Sequence, residues 1–214
     1  MNLAKYQTLV FDCDGVVLNS NKVKTEAFFK AALPYGEAAA QQLVNYHVAR
    51  GGISRYKKFE WFIENVVAAQ EGPNLEQLLA AYATEVRHGL LTCDIAEGLA
   101  ELRAKTPQAN WLIVSGGDQQ ELREVFAARD LAKYFDGGIF GSPDSKDTIL
   151  ARELALANIK QPALFLGDSR YDHVAASTAK LDFIFLHNWS EFEQWPQYCE
   201  SQVITTIKSV SQLL

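Results

Sequence analysis

The stretch LVFDCDGVVLNS, residues 9 to 20, ends an apolar run in two aspartates, Asp12 and Asp14, with Gly15 behind them. Carboxylates two positions apart repel each other and are costly to desolvate, so their placement asks for a chemical reason. Three further runs end in the same way. WLIVS (111 to 115) supplies Ser115, then Gly116 and Gly117. GIFG (138 to 141) leads into SPDSKD with Lys146, and ALFLG (163 to 167) is followed by Asp168 and, four residues on, Asp172. An all-oxygen set of this kind suits Mg²⁺ rather than zinc. A carboxylate is also a competent nucleophile toward phosphorus. Lys146, the Ser115 hydroxyl and the N–H groups of Gly116 and Gly117 are suited to hold the oxygens of a phosphoryl group in transfer, where charge spreads. Phosphoryl transfer is the chemistry these residue types share.

The elements that must position them follow from the same runs. TLVF (8 to 11), WLIVS, GIFG, ALFLG and FIFLH (183 to 187) read as buried parallel strands. Between the later ones lie helix-like stretches at 95 to 105, 118 to 128, 147 to 157 and 171 to 180, with Asp118 as an N-cap and Glu121 as its capping-box partner. Such alternation implies right-handed crossovers and a doubly wound parallel sheet, in which ligands sit beyond the carboxyl ends of the strands. Residues 20 to 90 break the rhythm. They read as four helices, near 22 to 33, 37 to 49, 54 to 69 and 75 to 88, separated by Pro34–Gly36, Gly51–Gly52 and Gly72–Pro73. A block this long is no crossover helix; it reads as an inserted helical domain. The expected architecture is therefore an α/β, Rossmann-like core of residues 1 to 19 and 90 to 214, with a four-helix cap at 20 to 89.

Bulk composition narrows the function classes. The 214 residues are 48% hydrophobic and 21% charged, as expected of a globular chain. A net charge of −6 offers no basic excess to neutralise phosphates, which argues against a nucleic-acid partner. No apolar run approaches a membrane span, and the start MNLAKYQTLVFDCDG lacks a secretion signal. Cys13, Cys93 and Cys199 are too scattered for a disulfide framework or a zinc site, and read as reduced thiols in a cytoplasmic protein. Cys13, between two aspartates, reads as a small buried hydrophobe rather than a reactive thiolate. The expected oligomeric state is monomer or weak homodimer, and NWSEFEQW (188 to 195) reads as packing.

FDCDGVV, VSGG, SPDSK and GDSRYD resemble the four ordered motifs of the haloacid dehalogenase-like superfamily, and the helical block resembles its C1 cap. The resemblance implies that Asp12 is the nucleophile and that Asp14 is the general acid and base, also lending Mg²⁺ its backbone carbonyl. It implies phosphoryl contacts from Ser115 and Lys146, and metal contacts from Asp168 and Asp172. The family's dehalogenases and its phosphonate-cleaving branch lack the second aspartate of the first motif, so Asp14 points to phosphate esters. GGISR (51 to 55) is similar to the cap loop of the sugar-phosphate mutase branch and its phosphatase relatives, which makes Arg55, with Ser54 beside it, the candidate for the substrate's non-reacting end. Lys24 is a further candidate; it stands where the mutase branch carries a histidine, and Asn19 stands where many relatives have aspartate. The expectation is a Mg²⁺-dependent phosphatase of a small phosphorylated metabolite, sugar phosphate or phosphoglycolate-like, with a β-phosphoglucomutase-type mutase as the alternative.

Overall fold

The structure is a computed structural model describing residues 2–214. The chain opens with β1 (Thr8–Phe11), followed by four helices: α1 (Asn21–Ala32), α2 (Glu37–Ala49), α3 (Arg55–Asn65) and α4 (Leu75–Thr92). It returns through α5 (Leu99–Lys105), β2 (Asn110–Asp118), α6 (Gln119–Ala128), β3 (Gly138–Ser142) and α7 (Lys146–Ala155). It closes with β4 (Ala163–Gly167), α8 (Arg170–Thr178), β5 (Asp182–Leu186), α9 (Trp195–Gln202) and β6 (Thr205–Ile207). Among the described residues the strands form one sheet of order β3-β2-β1-β4-β5-β6, every pairing parallel. This is the α/β, Rossmann-like doubly wound sheet with an inserted four-helix cap. No helix is long and apolar enough to cross a membrane, among the described residues.

The central strands are apolar on both faces because helices cover both. Leu9, Val10 and Phe11 of β1 and Leu164, Phe165 and Leu166 of β4 are all buried. Phe11 packs on Trp111 of β2 with ring centroids 4.6 Å apart. The cap has its own aromatic centre, where Phe28 of α1 meets Tyr82 of α4 at 4.4 Å and Phe59 of α3 at 5.1 Å.

Three differences from the sequence reading have local causes. Residues 95 to 98 are not helical: Ile95 forms an antiparallel bridge with Leu18, so α5 starts only at Leu99. β2 continues past Ser115 to Asp118, but its register with β3 slips between Val114 and Asp118. β6 is a three-residue edge strand of mostly exposed Thr-Thr-Ile, too short and too polar to announce itself by periodicity.

Candidate active site

The sheet order places the switch point at β1, which pairs with β2 on one side and β4 on the other. The crevice beyond the strand ends is widest there, so the residues after these strands converge. Asp12 follows β1 and Asp168 follows β4, both nearly buried. The α8 capping box adds a third carboxylate: Ser169 Oγ accepts from the Asp172 N–H while Asp172 Oδ2 accepts from the Ser169 N–H at 3.0 Å. One oxygen from each of Asp12, Asp168 and Asp172 lies within 4.8 Å of the others.

Lys146, the first residue of α7, reaches into this cluster with no exposed surface on its side chain. Its Nζ is 2.8 Å from Asp12 Oδ1 and 2.5 Å from Asp172 Oδ1. The approach to Asp12 meets ion-pair distance but not hydrogen-bond geometry. Asp12 Oδ1 is in fact the buried side-chain oxygen left without a hydrogen bond among the described residues. Burial is the main force raising the Asp12 carboxyl, to about 7, helped by Asp172 and Asp14 and opposed by Lys146. Burial likewise raises Asp168 well above the usual carboxylate range, with Asp12 and Asp172 adding to it.

These features fit a hard divalent cation. An unsatisfied buried carboxylate oxygen beside a second carboxylate that burial disfavours as an anion is a donor set in need of positive charge. The Asp14 carbonyl oxygen accepts no backbone hydrogen bond among the described residues. Asp172 is less free to join: Oδ1 holds Lys146, while Oδ2 accepts from Ser169 Oγ at 2.6 Å and from the N–H groups of Ser169 and Asp168.

Gly15 is explained by the same crowding. Its φ is +77°, and a Cβ there would lie 2.0 Å from Asp168 Oδ2 and 2.6 Å from Asn21 Nδ2. Asn21 donates to Asp168 Oδ2 at 2.7 Å and to the Trp189 carbonyl at 2.9 Å. Sequence reasoning missed Asn21 and also Ser20, whose hydroxyl donates to Asp14 Oδ1 at 2.6 Å. Both directly precede or start the first cap helix, where polar residues are ordinary, so no spacing signal marked them.

Asp14 itself is held from the cap. Lys24 of α1 is buried with Nζ 2.5 Å from Asp14 Oδ2. Burial would raise the Asp14 carboxyl, but Lys24 and Ser20 outweigh it and hold it below the ordinary range. Cys13, between the two aspartates, is fully buried; burial and Asp14 push its thiol well up, so it is no thiolate.

Ser115 is fully buried, and its Oγ accepts the Gly117 N–H at 3.0 Å. That N–H is therefore already engaged, in contrast to the expectation that it is free to cradle an oxygen. Gly116 has a different reason to be glycine, since a Cβ there would lie 2.1 Å from the Gly52 carbonyl oxygen of the cap loop. Glu121 does not complete the expected capping box. Asp118 Oδ1 accepts from the Glu121 N–H at 2.9 Å, but the Glu121 carboxylate takes both Arg55 amino groups instead. Arg55 also lies over the Tyr82 ring, 4.5 Å from its centroid. Tyr56 donates to Asp118 Oδ2 at 2.8 Å, so α3 is tied twice to the start of α6.

Between core and cap lies a small cavity of about 60 Å³. Asp12, Asp14 and Asp168 face it from the core, with Gly116 and Gly117; Lys24, Arg55, Lys58, His47, Phe28 and Tyr82 face it from the cap. Ser54 lies outside it, on a neighbouring cavity that also reaches Lys146.

A buried carboxylate trio, a lysine and a cap-lined cavity at the switch point of a parallel sheet define a class of α/β enzyme. The family model for haloacid dehalogenase-like hydrolases matches residues 6–180, and the chain belongs to that family. Its architecture is similar to a "predicted phosphatase" from Clostridium acetobutylicum, at TM-score 0.75 and 17% identity over 97% of this chain and 96% of that one. It is similar also to a "predicted phosphoglycolate phosphatase" from Haemophilus somnus, at TM-score 0.67 and 16% identity over 86% and 87%. A β-phosphoglucomutase from Clostridium difficile aligns at TM-score 0.72 and 17% identity over 98% and 93%. Comparison with curated proteins gave no match.

Proposed function

We propose that this hydrolase is a Mg²⁺-dependent phosphatase of a small phosphorylated metabolite, working through an aspartyl phosphate on Asp12. The observation that carries the reading is the unsatisfied, buried Asp12 Oδ1 beside Lys146 and facing Asp168. The working division is a core of residues 1 to 19 and 90 to 214 and a cap of 20 to 89.

Asp12, Asp168 and the Asp14 carbonyl are the groups that would hold Mg²⁺, which would neutralise phosphoryl charge and let the Asp12 carboxylate approach it. Asp172 serves best as a positioning group, since it already holds Lys146 and the turn of residues 168 and 169. Asp12 attacks phosphorus, the ester bond breaks, and Asp14 gives its proton to the leaving oxygen. Water then attacks the aspartyl phosphate while Asp14 takes a proton back, so phosphate leaves and the enzyme is restored. The ion pair with Lys24 favours the ionised Asp14 from which that second step starts. Lys146 and the Ser115 hydroxyl, whose hydrogen has no acceptor among the described residues, steady the phosphoryl oxygens. The small cavity between core and cap suits a cap that opens to admit substrate and closes to exclude water.

Assay of phosphate release from a panel of phosphorylated metabolites with Mg²⁺ tests this. Asp12→Asn should abolish release while the protein still melts cooperatively. Chelation by EDTA should stop the reaction, and Mg²⁺, not Ca²⁺, should restore it. Wild-type-like release by Asp12→Asn would overturn the mechanism. An isomerised sugar phosphate accumulating without free phosphate would favour a mutase.

A further inference from the structure

Three cations face the cavity from the cap, and two are already committed. Lys24 is paired with Asp14, and Arg55 gives both amino groups to Glu121. Lys58 of α3 is different. It is 2% exposed, and no carboxylate lies within 4.0 Å of its Nζ among the described residues. Its partner is a ring nitrogen, His47 Nδ1 at 2.7 Å, with the Phe28 ring centroid 5.5 Å away.

We propose that Lys58, steadied by His47, receives a second anionic group on the leaving portion of the substrate. This rests on the phosphatase reading and deepens it: the substrate class becomes short phosphate esters that carry another anion.

An ammonium taken out of water against a neutral imidazole and a phenyl face is poorly compensated. An ammonium has three hydrogens to give, and one partner leaves the others free for a further acceptor in the cavity that Lys58 lines. Burial and the charge of Lys24 push Lys58 down to about 7, with Lys146 acting the same way and Asp14 and Glu191 opposing. His47 is no counter-ion, because an imidazole carries no negative charge; burial and Lys58 hold it well below its usual value, which disfavours a second cation beside Lys58. The remaining carboxylate on the cavity wall, Glu191, is held by the Thr25 hydroxyl at 2.7 Å and lies beyond ion-pair distance of Lys58. An incoming carboxylate or second phosphate would supply the missing charge. The cavity that Lys58 shares with Asp12 is small, about 60 Å³, which favours a short bridge between the two anions.

The test compares esters that differ in one group: ethyl phosphate, phosphoglycolate, and the bisphosphate of ethane-1,2-diol. The wild type should prefer one of the anionic esters over ethyl phosphate in kcat/KM by roughly tenfold or more. Lys58→Met should collapse that ratio and Lys58→Arg should keep part of it, with thermal melts confirming folded protein. Which anionic ester is preferred separates a carboxylate from a second phosphate. Absence of any preference in the wild type, or equal losses on all esters in Lys58→Met, would overturn the proposal. Calorimetry in the Asp12→Asn background reads binding without turnover. Phosphoglycolate or the bisphosphate should bind there and bind at least roughly tenfold more weakly once Lys58→Met is added. Unchanged binding overturns the role of Lys58, whereas hydrolysis of none of the three esters, with that binding difference intact, counts against the phosphatase reading alone.

Discussion

Lys24 Nζ stands 2.5 Å from Asp14 Oδ2, a largely buried ion pair that joins the first cap helix to the residue two beyond Asp12. The cap thus reaches Asp14 directly, and this contact favours the ionised form of its carboxyl.

Lys24→Met should leave Asp14 buried with no cation at ion-pair distance, Lys146 acting on it only from farther away. Breaking one side of a buried pair costs about 3–5 kcal/mol, and urea unfolding should show a loss of that order. Because Lys24 favours the ionised form of Asp14, its removal should also move the acid limb of the activity profile to higher pH. The double variant Lys24→Met with Asp14→Asn should regain much of the lost stability, being free of the orphaned charge.

Arg55 and Glu121 should behave as a unit. The pair spans cap and core, both side chains largely buried. Arg55→Ala and Glu121→Ala should each weaken turnover of the preferred substrate, and the double variant should be little worse than either alone. A coupling of about 1–3 kcal/mol in a double-mutant cycle would be ordinary for such a contact. Fully additive losses would mean that Arg55 contacts the substrate instead of latching the cap.

Gly116→Ala should hinder closure, because its Cβ would meet the Gly52 carbonyl oxygen at 2.1 Å. Something must move, and the cap loop is the side that can. Activity should fall by roughly tenfold or more, as misplacement of about an ångström commonly does, with a small change in melting temperature. A variant with normal kcat and KM would show that this contact is not made in the working cycle.

The metal-free protein should carry a pH signature of Asp12. Its carboxyl is raised in the fold to about 7, so between the ordinary carboxylate range and that value the native state holds a proton that the unfolded chain has lost. Stability from this group is present at acid pH and declines as pH rises through about 7. Asp12→Asn removes the effect, so the stability difference, wild type minus variant, should fall with rising pH across that window, by an amount on the order of a few kcal/mol. Mg²⁺ should raise the wild-type melting temperature at neutral pH and raise that of Asp12→Asn less.

Much of the sheet, and the gathering of Asp12, Lys146 and Asp168 at its rim, was legible because both rest on local rules. A parallel strand covered on both faces must be apolar throughout, as β1 and β4 are, and ligand-binding residues follow such strands at their carboxyl ends. Asp12, Lys146 and Asp168 could therefore be singled out from the residues after each run. The four cap helices were visible for a similar reason, through breaks at Gly and Pro and the absence of strand-like runs. The three-residue β6 was not, since its identity as a strand comes from pairing with β5.

Tertiary structure alone decided which charges meet. Nothing local says that Glu121, well placed three residues after an N-cap, should abandon that role for Arg55, 66 positions away. Nor does local sequence separate Lys24, Arg55 and Lys58, three basic residues on cap helices, into two that are paired and one that is left with a histidine. Helical periodicity reports which face is apolar, whereas ion pairing depends on the relative placement of elements distant in sequence. Where a buried cation finds no carboxylate, as Lys58 does, the reason lies in that placement.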